Sequence, residues 1–194
     1  AGLGVDDAII EIEGGELPAA DGSAAPFAAL IHEAGLREQS GVVMEPLTLT
    51  EAVTVSEGGS TLIALPTAHF SATVVLDYPN HPYLGTSAAM FDAETGDYAA
   101  EIAPARTYGF LSEIEALQAH GLGLGASRDN AVVLGEDRYE TPLRFANELA
   151  RHKLLDLVGD LALVGCPMQA QIIAVRPSHR LNTRLARMLA EIRG

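Results

Sequence analysis

Residues 151–165, RHKLLDLVGDLALVG, set a His, two Asp and the only Lys of the chain inside a run that is otherwise almost wholly apolar. At 100° per residue His152, Asp156 and Asp160 fall on one stripe, each a turn beyond the last, and Glu148 extends it backwards. Leu149, Leu154, Leu155, Leu157, Val158 and Leu161 take the remaining faces. A helix this apolar must be covered on most sides, and an unpaired charge is costly to bury. Two readings of the stripe stay open. The acids and the His could form ordinary i,i+4 pairs on a wet face. Alternatively, a His and a carboxylate at i and i+4 could share one metal ion, with a third ligand from elsewhere leaving a position for water.

The rest of the chain is long enough to cover such a helix. It has 194 residues, 48% of them apolar, which suffices for one large domain or two small ones. The opening AGLGVDDAIIEIEGGELP reads as a strand already under way, alternating through Ala8–Glu13, so a fragment, a processed chain or a trimmed chain is expected. A helix to about Ala34 follows, capped from Asp21 or Ser23 and stopped by Gly35. Strand-like runs come next: VVMEPLTL, EAVTVSE, STLIALPT, SATVVLDY and SAAMFDAE, with GGS at 58–60 as a hairpin turn. The second half is helix-rich: a start near Asp97, LSEIEALQAHG, a helix opened by Thr141 and Pro142, and a closing amphipathic helix, LNTRLARMLAEIRG. Strands in runs and helices in runs indicate an α+β fold.

Charge narrows the function classes. Residues 1–105 hold sixteen acids and one base, whereas residues 106–194 hold ten acids and eleven bases. The net charge of −14 argues against a nucleic-acid partner, since that binding depends on neutralising many phosphates. An anionic ligand would be held by the cation-richer half, with Lys153, Arg176 and Arg180 as candidates. One Cys excludes a disulfide framework, and Cys166 reads as a packed thiol. No apolar run is long enough to span a membrane, and no signal peptide is visible, so the cytoplasm is expected. The glycines of GLGLGAS, 121–127, lack the spacing of a dinucleotide loop. His32, His69 and His120 show no evident partners.

DGSAAPF (21–27), ARTYGF (105–110), EIEALQAHGLGLGAS (113–127), LRFANELARHKLLDLVGDL (143–161) and SHRLNT (178–183), in this order, resemble the UDP-3-O-acyl-N-acetylglucosamine deacetylase family, zinc amidases of lipid A biosynthesis. The resemblance implies two similar α+β domains, each a sheet with two helices of the ribosomal S5 domain 2-like type, packed helices to helices around the site. Residues 1–39 would be the remnant of the first domain and 40–194 the second, with a βαβ insert at about 108–140. Ile114, Gly123 and Val133 would line that insert's passage for the acyl chain. His152 and Asp156 would be Zn2+ ligands and His179 the general acid, its ring held by Asp160. Thr107 would help stabilise the oxyanion, and Lys153 would place positive charge beside the substrate, with Tyr108 and Arg176 among its contacts.

The substrate implied is UDP-3-O-acyl-N-acetylglucosamine, and a cytoplasmic monomer is expected. In the family, the third zinc ligand is a His preceded by a general-base Glu, both upstream of the part that AGLG resembles. The chain alone is therefore expected to bind zinc weakly and turn over little. The alternative is a truncated, non-catalytic relative that binds a ligand or regulates.

Overall fold

The computed structural model describes residues 1–14, 17–41, 43–114 and 129–193. Its centre is a six-stranded mixed sheet formed by β1 (Leu47–Thr48), β2 (Val53–Glu57), β3 (Ser60–Pro66), β4 (Ser71–Asp77), β5 (Thr86–Asp92) and β8 (Met168–Val175). The strand order is β2-β3-β8-β4-β5, and β1 pairs with the start of β8. β8, the last strand in sequence, is thus central: antiparallel to β3 and parallel to β4. Gly58 and Gly59 make the two-residue β2–β3 turn with φ of 57° and 81° at consecutive positions, the mirror-image turn that suits a hairpin.

Alternation along the strands decides which face is covered. Val53, Val55, Leu62, Ala64, Ala72, Val74, Phe91, Ile172 and Ala174 are buried on one face. Against it lie α3 (Glu148–Leu161) and α4 (His179–Arg193), which also pack on each other. Short α2 (Tyr98–Glu101) is capped by Asp97, whose carboxylate accepts from the Ala100 N–H at 3.0 Å. A separate parallel pair, β6 (Tyr108–Phe110) and β7 (Val132–Leu134), follows it, and residues 111–114 begin a helix between the two. The fold is therefore a mixed α/β arrangement with its long helices segregated to one face of the sheet.

α1 (Ala25–Ala34) stands apart from the sheet, with Leu30 62% exposed, and ends at Gly35 as the sequence requires. The Asp21 carboxylate accepts from both the N–H and the hydroxyl of Ser23 just before it. The turn into α1 is held against the β6 region by Gly22. The Gly22 carbonyl accepts from the Thr107 N–H at 2.8 Å, and a Cβ at Gly22 would lie 1.8 Å from the Asn130 carbonyl oxygen. With φ at +80° as well, only glycine fits there.

Three expectations are corrected. Ala8–Glu13 is not a strand: Ile9 is 95% and Ile10 74% exposed, and no described strand lies beside the segment to pair its backbone. VVMEPLTL contributes only Leu47–Thr48 to the sheet, because Pro46 offers no donor and β1 meets β8 for two residues. The long helix starts at Glu148, not at Thr141–Pro142. The Thr141 hydroxyl is taken by the Val133 N–H at 3.1 Å, and the Glu148 carboxylate accepts the Arg144 N–H at 2.6 Å, which holds the intervening residues in a turn.

Candidate active site

The polar stripe of α3 divides into two environments. At the helix start, Glu148 is wholly buried and fully engaged. Its Oε1 accepts from the backbone N–H and Nε of Arg106, at 3.1 and 2.8 Å, and its Oε2 from an Arg106 Nη at 3.1 Å. Burial alone would raise this carboxyl, but the Arg106 guanidinium and the backbone donors hold it below its ordinary value. Arg144 continues the network outward, donating to Asp21 at 2.8 Å and to the Pro104 carbonyl at 3.0 Å. Nothing in the sequence spacing announces the Arg106–Glu148 pair, whose members lie 42 residues apart.

One turn on, the stripe opens. His152 is 8% exposed, and its Nδ1 lies 3.0 Å from the Ala105 carbonyl, to which it donates. That bond fixes the tautomer and leaves the Nε2 lone pair facing Asp156 Oδ1 at 3.4 Å. Burial, the largest influence, pushes His152 below its ordinary value despite the nearby Asp156 carboxylate, so the ring is neutral. Two electron-rich atoms therefore face one another across a gap. Ligands about 2.1 Å from a tetrahedral zinc stand about 3.4 Å apart, so this donor pair suits such an ion. The carbonyl on the far ring nitrogen is the usual outer support of a metal-binding histidine. Among the described residues, no set of three His, Cys, Asp or Glu side chains is arranged around a common ion position.

Asp156 is the hub of the opening. Lys153 Nζ donates to its Oδ2 at 2.7 Å and sits 5.4 Å from the centroid of the Tyr108 ring. His179 Nε2 approaches the same Oδ2 at 3.8 Å. His179 stands at the start of α4, where the Ser178 hydroxyl accepts from the Leu181 N–H as a cap. The His179 ring is 66% exposed, and its Nδ1 lies 2.8 Å from Asp160 Oδ2. The side chains of His152, Lys153, Asp156, Asp160, His179 and Tyr108 thus come together at one place. Burial drives the Tyr108 hydroxyl far above the ordinary tyrosine value, and it bonds to the Tyr78 hydroxyl at 2.8 Å.

The remaining expected residues are dispersed. Thr107 is exposed and follows directly on the Ala105–Arg106 segment that supports His152 and Glu148. Ile114 lies against Gly109, where an added Cβ would be 3.4 Å from its Cγ1, and Val133 is 4% exposed on β7. Gly123 lies outside the described residues. Arg176 is not at the site: its guanidinium donates to the Gly59 carbonyl of the β2–β3 turn, and its backbone adopts φ of +50°. Arg180 likewise pairs with Glu57 at 2.8 Å. The β2–β3 hairpin thus draws both arginines away and leaves Lys153 as the cation on Asp156. His69, which showed no evident partner in sequence, is held at 2.9 Å by Asp92 and at 3.5 Å by Glu94. Cys166 is half-buried against the core, as a packed thiol.

The family model of UDP-3-O-acyl N-acetylglycosamine deacetylase, LpxC, matches residues 1–191. The chain belongs to this family. It is 43% identical over 188 residues to the UDP-3-O-acyl-N-acetylglucosamine deacetylase of Leptospira biflexa, covering 96% of this chain and 62% of the relative. The Myxococcus xanthus deacetylase is 41% identical over 189 residues, covering 96% and 60%. That of Syntrophus aciditrophicus is 39% identical over 193 residues, covering 98% and 61%. The chain therefore spans about three fifths of the length of these deacetylases.

Proposed function

We propose that this chain supplies one wall of the active centre of a zinc-dependent deacetylase, which removes the N-acetyl group of UDP-3-O-acyl-N-acetylglucosamine in the committed step of lipid A biosynthesis. The observation that carries the reading is the convergence of His152, Lys153 and His179 on the Asp156 carboxylate, with Asp160 holding the far nitrogen of His179. In this reading residues 1–39 belong to a first domain and 40–194 to a second of the same S5 domain 2-like build. The insert at about 108–140 carries the acyl passage, with Ile114, Gly123 and Val133 on its wall.

Zn2+ would be held by His152 Nε2 and the Asp156 carboxylate, and when bound it supplies Lewis-acid activation of water and of the amide carbonyl. The His152 ring is already turned for this by the Ala105 carbonyl. His179 delivers a proton from Nε2 to the departing amine, while Asp160 accepts from Nδ1 and fixes the ring. Thr107 offers a hydroxyl to the developing oxyanion. Lys153, steadied between Asp156 and the Tyr108 ring, sets a positive charge beside the anionic substrate. Contact of Arg176 with the diphosphate requires it to leave the Gly59 carbonyl. A cytoplasmic monomer without a nucleic-acid partner completes the reading. Among the described residues no helix is long and apolar enough to cross a membrane.

The test is acetate release from UDP-3-O-acyl-N-acetylglucosamine at saturating Zn2+, beside a calorimetric zinc titration. His179→Gln is expected to lower the rate about 10²–10⁴-fold, the usual worth of a positioned acid, with zinc affinity unchanged. An unaltered rate would remove His179 from its role. A wild-type protein that neither released acetate nor bound zinc at His152 and Asp156 would leave the ligand-binding reading in its place.

A further inference from the structure

α4 presents a second polar side chain to the site region. Asn182 is 1% exposed, and its Nδ2 donates to Asp160 Oδ2 at 2.9 Å. This is the same oxygen that accepts from His179 Nδ1 at 2.8 Å. The other end of the amide is an anomaly: Asn182 Oδ1 is buried with no hydrogen-bond partner among the described residues. Buried polar atoms are almost always paired, and an orphaned acceptor opposes folding. The amide has no better orientation. Turned over, it would set Oδ1 against a carboxylate oxygen and lose the bond it makes. Buried Leu181, Leu185, Ala186 and Leu189 surround it along the same helix, so the fold alone would be served as well by an apolar residue here.

From this we infer that Asn182 is a positioning residue, acting on His179 through Asp160. The His179 ring is two-thirds exposed, so few packing contacts set its direction, and its closest bond is to Asp160. Asp160 in turn is steered by the Asn182 amide. A neutral donor suits the task, since it directs the carboxylate without cancelling the charge that attracts the imidazole. The chain Asn182–Asp160–His179 is thus a relay of orientation, held in place at the expense of one unsatisfied buried oxygen. It rests on the reading of His179 as the proton donor.

The experiment compares Asn182→Leu and Asn182→Ala with the wild-type protein in three measurements: thermal midpoint, steady-state kinetics, and the tautomer of His179 from long-range 15N–1H correlations. At a pH where it is neutral, the wild-type ring is expected to be a single Nδ1–H tautomer. In the variants it is expected to become a mixture, with kcat down about 10- to 100-fold, the usual effect of losing a supporting partner, and KM unchanged. The midpoint of the Leu variant should hold or rise, because the orphaned oxygen is gone. Should the Leu side chain prevent folding, the Ala variant carries the same tautomer and kinetic readings. A tautomer that stays single in a folded variant overturns the inference, as does a loss of activity that only follows a falling midpoint. If the wild-type protein neither binds zinc nor releases acetate, the functional reading fails, while the tautomer comparison still decides the role of Asn182.

Discussion

Glu148 and Asp156 lie two turns apart on the same stripe of one helix, and both are carboxylates shielded from water. Their surroundings are opposite. Glu148 accepts four hydrogen bonds, three from Arg106 and one from the Arg144 N–H, and its charge is matched by a buried guanidinium. Among the described residues Asp156 has one firm partner, the partly exposed Lys153, while two histidines approach it at 3.4 and 3.8 Å without closing. A buried charge whose donors are complete is a fastener of the fold. One ringed by groups that stop short of it is set up for something further to enter. The first fastens the helix start and the Ala105–Thr107 segment to each other.

The largest expected effect breaks the fastener. Glu148→Ala would leave Arg106 buried without a counter-charge and should destabilise the protein by about 3–5 kcal/mol in a denaturant titration. Its pH dependence has a definite sign. The Glu148 carboxyl is held below its ordinary 4.5, so its contribution is present above that value and is lost as pH falls through the lowered one. Acid unfolding of the wild type should be steeper there than that of Glu148→Gln.

Asp156→Asn should do the reverse, changing stability by less than about 1 kcal/mol while zinc affinity falls by more than about 100-fold in calorimetry, since a ligand counts for more than its supporting partner. A loss of stability equal to that of Glu148→Ala would erase the distinction between the two acids.

Lys153→Met sharpens the contrast further. It removes the Lys153 cation from Asp156 but keeps the apolar stem, so KM for the anionic substrate should rise about tenfold, roughly one charge-assisted contact, with little change in melting temperature.

The smallest effect belongs to the surface pair His69–Asp92. The hydrogen bond to Asp92 raises His69 above its ordinary 6.5, so its contribution is present below that value and fades as pH climbs through the raised one. Asp92, lowered chiefly by the same bond, limits it on the acid side. His69→Asn should therefore lower the melting temperature slightly at mildly acid pH, leave it unchanged in alkali, and leave zinc affinity untouched at every pH.

Much of the site was legible because local chemistry repeats at the helical period. His152, Asp156 and Asp160 are spaced by four, and their direction follows from that alone. His179 was legible only through the resemblance, since it reaches Asp160 across 19 residues of strand and turn. Glu148 has the same spacing as the proposed ligands and was placed on their stripe, yet it belongs to the core. No periodic rule separates the two fates, because they depend on whether an arginine from 42 residues away arrives. Arg176 was placed beside the substrate by the cation-richer second half and by the resemblance, whereas its guanidinium lies on the β2–β3 turn and its backbone adopts φ of +50°.

By itself, then, the sequence determined the elements with strong local signals: the alternation of β2 to β5 and β8, the Gly58–Gly59 hairpin, the Asp97 cap of α2, the Gly35 stop of α1, and the polar stripe on an apolar helix, whereas the N-cap of α1 is Ala24 and not Asp21 or Ser23. It also carried the family. Tertiary structure alone decided which strand stands at the centre of the sheet, where the long helix begins, why Ala8–Glu13 forms no strand, and which acids are closed and which open. The physical reason is the same in each case. Propensity and period act within a few residues, whereas strand pairing, burial and charge compensation are settled by partners that the chain brings from far away.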